Sequence, residues 1–269
     1  MNKGVIYKFQ DWVNTYHRKS FLNNELYFSN NFSFNDPFDL QLPFVTEGKP
    51  KFNKELFFSE KSNYPSISID KIPKKDLDEM WNKMLDANPQ IRSANDTAMH
   101  KVVSDIENEA GILCLSKRNN STLMWGHYAN SHKGFCIGFS EIELIKFVKN
   151  KLGTKVEIFD VQYIKEIPKF NYAKALDRKY VMEFVNKRFS SKHIDWKYEK
   201  EKRIIISDFQ KQLLKLPSEI YKQLIFGYNM NVTERKELTI LCKELYPNIK
   251  IYEAKPSNNS FNMTIKPIE

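Results

Sequence analysis

The chain is poor in glycine, with 8 in 269 residues, and holds only three cysteines. Few glycines argue against repeated glycine loops and against a many-turned β-barrel. Cys114, Cys136 and Cys242 are odd in number, widely spaced and free of any CxxC pattern. They read as reduced thiols, and Cys114 and Cys136, inside apolar runs, as core residues. No apolar run approaches the roughly 18 residues of a membrane span. The opening MNKGVIYKFQ has no signal-like apolar stretch. A cytoplasmic protein without membrane contact is expected. The sequence also lacks HExxH, a P-loop and GxGxxG, while His100 and His193 have no partner at metal-ligand spacing. No metal site is expected.

Positive charge and aromatic rings are abundant. Lys and Arg number 42 against 33 Asp and Glu, a net charge of +9, and there are 20 Phe and 13 Tyr. A positive excess attracts polyanions such as nucleic acid or nucleotides. The lysines are spread along the chain rather than clustered, as the codon usage of an AT-rich bacterial genome would also give.

Short β-prone runs alternate irregularly with helical patterns. VIYKF, ELYFS, GILCLS, KVEIFDVQYI and IKIYEAK read as strands, and WKYEKEKRIIIS as one strand of strict alternation. Asp11 to Leu22, Lys75 to Ala110 with a break at Asn88-Pro89, Asn171 to Phe189 and TERKELTILCKELYPN read as helices. Ser140 is a candidate N-cap for SEIELIKFVKN. FNDPFD is a turn. The expectation is a single α+β domain over residues 1–269, with a mixed or antiparallel central sheet flanked by helices and a helical insertion at about 44–110.

Two segments carry chemistry. LMWGHYANSHKGFCIGF holds Trp125, His127, Tyr128, His132 and Lys133, followed by the strand glycines Gly134 and Gly138. Aromatics beside a histidine form a slot for a flat ring, lysine pairs with phosphate, and a strand glycine marks close approach of backbone or ligand. In WKYEKEKRIII, alternation places Glu199, Glu201 and Arg203 on one strand face. There Arg203 holds a neighbouring carboxylate ionised. A packed loop and a solvated charged edge are the structural alternatives.

These residues carry a resemblance. IYKF, ELYFSNNFSFNDPFD, ILCLSKRNNSTLMWGHYANSHKGFCIGF, a YI strand, WKYEKEKRII and IFG, in that order, resemble the bacterial domain-of-unknown-function family 2971, whose name carries no activity. In motif order the chain also resembles the ADP-ribosyltransferase superfamily, implying an ADP-ribosyltransferase-like fold with NAD as substrate. By that resemblance Tyr7 and Lys8 hold the adenosine-side ribose or phosphate. Trp125 and Tyr128, near His127, stack on nicotinamide, and Glu199 or Glu201, the latter preferred, steadies the ribosyl cation. Lys8 stands where the superfamily usually has His or Arg, offering a point charge and no fork. The implied role is a toxin-like effector in bacterial defence, modifying a nucleic acid, nucleotide or protein, with a partner or antitoxin protein. Two alternatives stand beside it. One is a metal-independent nuclease or RNA-directed hydrolase, with His127 or His132 as base and Lys133 and Arg203 on phosphate. The other is a non-enzymatic basic module binding nucleic acid or protein.

Overall fold

Alternation along VIYKFQ sets the architecture: Ile6 enters one core, and Tyr7 and Phe9 enter another on the opposite face. The computed structural model describes residues 4–47, 72–175 and 177–268. The strands are β1 (Val5–Gln10), β2 (Glu25–Phe28), β3 (Val45–Glu47), β4 (Gly111–Ser116), β5 (Phe135–Ser140), β6 (Val156–Asp160), β7 (Gln162–Ile164), β8 (Lys169–Asn171), β9 (Ser191–His193), β10 (Glu201–Ile206), β11 (Gln212–Lys215), β12 (Tyr221–Phe226), β13 (Lys250–Pro256) and β14 (Met263–Pro267). The helices are α1 (Thr15–Leu22), α2 (Lys74–Ala87), α3 (Pro89–Glu109), α4 (Thr122–Tyr128), α5 (Glu141–Leu152), α6 (Arg178–Ser190) and α7 (Val232–Leu245).

Eight strands form one mixed sheet in the order β14-β13-β12-β5-β1-β4-β10-β6. All its pairings are antiparallel except β12 with β13. Phe21 of α1, Leu144 and Val148 of α5 and Leu238 of α7 pack with Ile6, Leu113, Ile204 and Leu224 on one face. On the other face, α3 and α6 cover Ile112 and Ile205, whereas α4 covers Phe9, Cys136 and Ile225. The result is a single α+β domain with helices on both faces of a mixed central sheet. No helix among the described residues is long and apolar enough to cross a membrane.

Several boundaries differ from the sequence expectation. The first helix starts at Thr15 because Asn14 accepts from the Tyr16 and His17 amides, while Asp11 takes the Val13 amide in a preceding turn. KVEIFDVQYI breaks at Val161 into two strands. The helix expected from Asn171 begins at Arg178, capped by Asp177. IKIYEAK is followed by one further strand, β14. Of the insertion at 44–110, the near end holds the short strand β3 and the far half is helical, α2 and α3, divided at Asn88-Pro89; residues 48–71 lie outside the described residues. Ser140 caps α5 as expected, accepting from the Glu143 amide.

The largest correction is in WKYEKEKRIII. Residues Ile194–Glu199 form a 3-10 helix, and Lys200 takes a left-handed conformation, φ 46°. Strand β10 therefore starts at Glu201. Glu201 and Arg203 do share a face, but Glu199 reaches them from the helical turn.

Gly134 and Gly138 also acquire a definite reason. A Cβ at Gly134 would lie 2.1 Å from the Gln10 carbonyl oxygen, and one at Gly138 would lie 2.9–3.1 Å from Val5, Gln223 and Tyr7 side-chain atoms. The close approach is the protein's own packing.

Candidate active site

The turn FNDPFD brings the first charge inward. Asp36 accepts from the Phe38 amide through Oδ1 and from the Asp39 amide through its carbonyl. Leu40 follows in the left-handed region, φ 60°. Asp39 is thereby driven to 1% exposure, beneath the sheet face that carries Glu201 and Arg203.

Arg203 is wholly buried and fully engaged. Its Nε donates to Glu201 Oε1 at 2.7 Å and its Nη2 to Glu201 Oε2 at 3.0 Å, a fork-to-fork pair. Nη2 also meets Asp39 Oδ1 at 2.6 Å, and Nη1 donates to the Phe189 carbonyl at 2.9 Å. Lys192, on β9, places its ammonium among three carboxylates: Glu199 at 2.6 Å, Asp39 at 2.9 Å and Glu201 at 3.5 Å. The second oxygen of Glu199 accepts from the Tyr128 hydroxyl at 2.6 Å. Ser116 donates to the Glu199 carbonyl at 2.6 Å, and the Glu201 amide donates to the Tyr163 hydroxyl at 2.8 Å.

Three carboxyls thus face two cations in a nearly dry seam between two apolar clusters. Full ionisation would leave one surplus negative charge, which low dielectric penalises. The surplus falls on Glu199. Burial raises its pKa to about 7, against the pull of Lys192 and with the push of Glu201. Burial also disfavours ionised Glu201, but Arg203 and Lys192 overcome it and bring the carboxyl down to about 2. Lys192 is held firmly charged: burial works against it, and Glu201, Asp39 and Glu199 outweigh burial. Burial, then Glu199, pushes the Tyr128 hydroxyl upward.

Above the seam lies an aromatic rim. The exposed His127 stacks on Tyr198, centroids 6.0 Å apart and planes inclined by 28°, and sits 6.5 Å from Trp196. Lys192 Nζ lies 4.7 Å from the centre of the Trp196 ring. The rim is partly open to water, the charges beneath it closed.

Residues 124–204 match a protein family of unknown function, DUF2971. No curated protein and no solved structure matches this chain. The DUF2971 segment runs from α4 into β10, so it carries Tyr128, Lys192, Glu199, Glu201, Arg203 and the rim, while Asp39 lies outside it.

Within the DUF2971 segment the fold brings together His127, Tyr128, Glu199, Glu201 and Arg203 and separates the other candidates from them. Trp125 is completely buried, donates from its indole to the Asn119 carbonyl at 2.8 Å and packs edge-on against Phe9, leaving it no face for a ligand. Trp196 and Tyr198 supply the open rings instead. His132 and Lys133 belong to a turn beside Asn229. Outside the segment, Tyr7 is buried and directs its hydroxyl to Gln223 at 3.3 Å. Lys8 points to the opposite face and donates to the Cys114 carbonyl at 3.3 Å; burial lowers its pKa. Strand alternation already forbids Tyr7 and Lys8 from serving one side of the sheet. Sequence reasoning missed Asp39 and Lys192. Asp39 had a signal, as the residue that a Pro-containing turn aims inward, whereas Lys192 is one lysine among many.

The two glutamates pull stability in opposite directions with pH. Glu199 binds its proton more tightly folded than unfolded, so its contribution is complete below about 4.5 and is lost as pH rises through about 7. Glu201 contributes above about 4.5, and this is lost as pH falls through about 2. Between about pH 5 and about pH 8 the Glu199 loss acts alone of the two. Glu199→Gln keeps the neutral form at every pH. The parent's Tm, followed by calorimetry, should therefore fall by roughly a few degrees relative to that variant across the interval.

Proposed function

We propose that the protein is an enzyme of glycosyl transfer, acting as an ADP-ribosyltransferase on NAD, with Glu199 as its proton-handling group. The observation that carries this reading is the split pair: one carboxyl near neutrality and one firmly ionised, bridged by the single ammonium of Lys192 beneath a rim of stacked rings. Environments that push two carboxyls apart in pKa are a recurring acid/base arrangement. The resemblance in motif order supplies the substrate class, as analogy.

In this reading the nicotinamide ring packs against the rim formed by His127, Trp196 and Tyr198. The bond between ribose C1 and the nicotinamide nitrogen breaks, and its electron pair leaves with nicotinamide. Negative charge beneath the rim steadies the cation left on the ribose. The acceptor's nucleophile then bonds to C1 and gives its proton to ionised Glu199, which passes it to water. Glu201, brought down to about 2 by Arg203 and Lys192, stays ionised and holds those two cations in place, whereas Glu199, near 7, can take up and release a proton. A toxin-like role in bacterial defence, with a partner that restrains it, accords with such an activity.

The nuclease reading needs Arg203 on a phosphate, yet Arg203 is wholly buried and committed to Glu201, Asp39 and the Phe189 carbonyl. Release of nicotinamide from NAD by the purified protein, assayed with nucleic acid, nucleotide and protein acceptors, tests the proposal. Lack of release with every acceptor class overturns it. Nucleic-acid or partner binding that survives loss of Glu199, Glu201 and His127 then favours the binding module.

A further inference from the structure

A second feature lies apart from the charged seam. Residues 256–263, between β13 and β14, form one wall of a groove of about 700 Å³, and Thr122, His132, Tyr228 and Asn229 form the other. Thr122 donates to the Phe261 carbonyl, and the Met263 amide donates to the Asn120 carbonyl at 2.9 Å. The hairpin is thereby tied to the loop that follows Ser116.

The lining chemistry is selective. Phe261 is fully exposed and Tyr228 half exposed, and neither ring packs on another among the described residues. An aromatic side chain left bare at a hairpin tip gives up its burial energy unless something covers it. The lining also holds side-chain amides, Asn229, Asn258 and Asn262 among them, which donate and accept hydrogen bonds as base edges require. His132 turns into the groove through three successive left-handed residues, Asn130, Ser131 and His132. Its Nδ1 is shielded and has no hydrogen-bond partner among the described residues. No lining residue is acidic. Lys133 adjoins His132, and Arg118 reaches Asn120 on the tethered loop, in a chain of net charge +9.

The geometry points to a binding site for single-stranded nucleic acid, with bases stacked on Phe261 and Tyr228 and the backbone drawn along Lys133 and Arg118. Unpaired bases present a flat face and a hydrogen-bonding edge at once, and aromatic platforms flanked by cations are the usual means of holding them. A duplex, whose bases are already stacked, gains nothing from these rings. The site is independent of the chemistry assigned to Glu199.

The test is fluorescence anisotropy with labelled single strands of about twelve nucleotides, RNA and DNA separately, and a duplex of the same sequence. Tyr228→Ala combined with Phe261→Ala should weaken single-strand binding at least tenfold. Tyr16→Ala, which removes an exposed ring elsewhere, should leave it unchanged, and all variants should melt as the parent does. Affinity should fall with salt. RNA and DNA titrations compared show which strand the site prefers. Absence of single-strand binding by the parent overturns the proposal. So does equal binding by the double variant, tighter binding of duplex, or equal competition by a neutral oligosaccharide.

Discussion

Arg203→Met should cost about 3–5 kcal/mol of folding stability, the range for removing one partner from a buried ion pair. The magnitude follows from what remains. Glu201 and Asp39 lose their guanidinium partner in a dry seam and keep one lysine between them, and the Phe189 carbonyl loses its donor. Arg203→Lys should recover little, because one ammonium cannot span both oxygens of Glu201 and also reach Asp39. The double variant Arg203→Met with Glu201→Leu should recover most of the loss, since it removes the carboxyl that Arg203→Met alone leaves without its fork-to-fork partner. Urea denaturation at neutral pH measures all three. A loss below about 1 kcal/mol for Arg203→Met would mean that the seam is wet and its charges weakly coupled.

Glu199→Gln should leave the fold intact and lower the rate of nicotinamide release about 10²–10⁴-fold, the usual worth of a positioned acid or base. Glutamine resembles protonated glutamate, so the cluster keeps its neutral balance and Lys192 keeps an oxygen partner. The loss should fall on kcat, with KM for NAD nearly unchanged, because Glu199 lies below the rim. In the parent, log kcat should rise with pH to a plateau above the Glu199 midpoint of about 7. The variant's residual rate should be flat across the same interval. A normal rate in the variant, or a loss confined to KM, would remove Glu199 from proton handling.

These contrasting outcomes come from one cluster, and the sequence disclosed only part of it. β1, β4 and β13 could be read directly, since alternation or a bounded apolar run is a local property. Glu201 with Arg203 was legible for the same reason. Glu199 was not placed correctly because the left-handed Lys200 ends the strand pattern, and nothing in Tyr198-Glu199-Lys200-Glu201 announces that turn. Trp125 and Tyr128 looked equivalent as aromatics, yet α4 buries the first against Phe9 and directs the second to Glu199. Only the packing of α4 on the sheet decides between them. Lys192 and Asp39 are partners more than 150 positions apart. No local pattern links them, and their pairing depends on the tertiary fold. The resemblance to family 2971 agrees with the match over residues 124–204; the superfamily resemblance enters as the basis of a proposal.

Two glutamates, both nearly dry, hold their protons with very different strength, and every chemical role assigned to the cluster follows from that difference. Carbon-13 NMR titration of the glutamate side-chain carboxyls, assigned with Glu199→Gln and Glu201→Gln, measures this directly. The expected result is a Glu199 midpoint near 7 and a Glu201 resonance that stays ionised down to about 2. Two midpoints close to the ordinary glutamate value of 4.5 would contradict it.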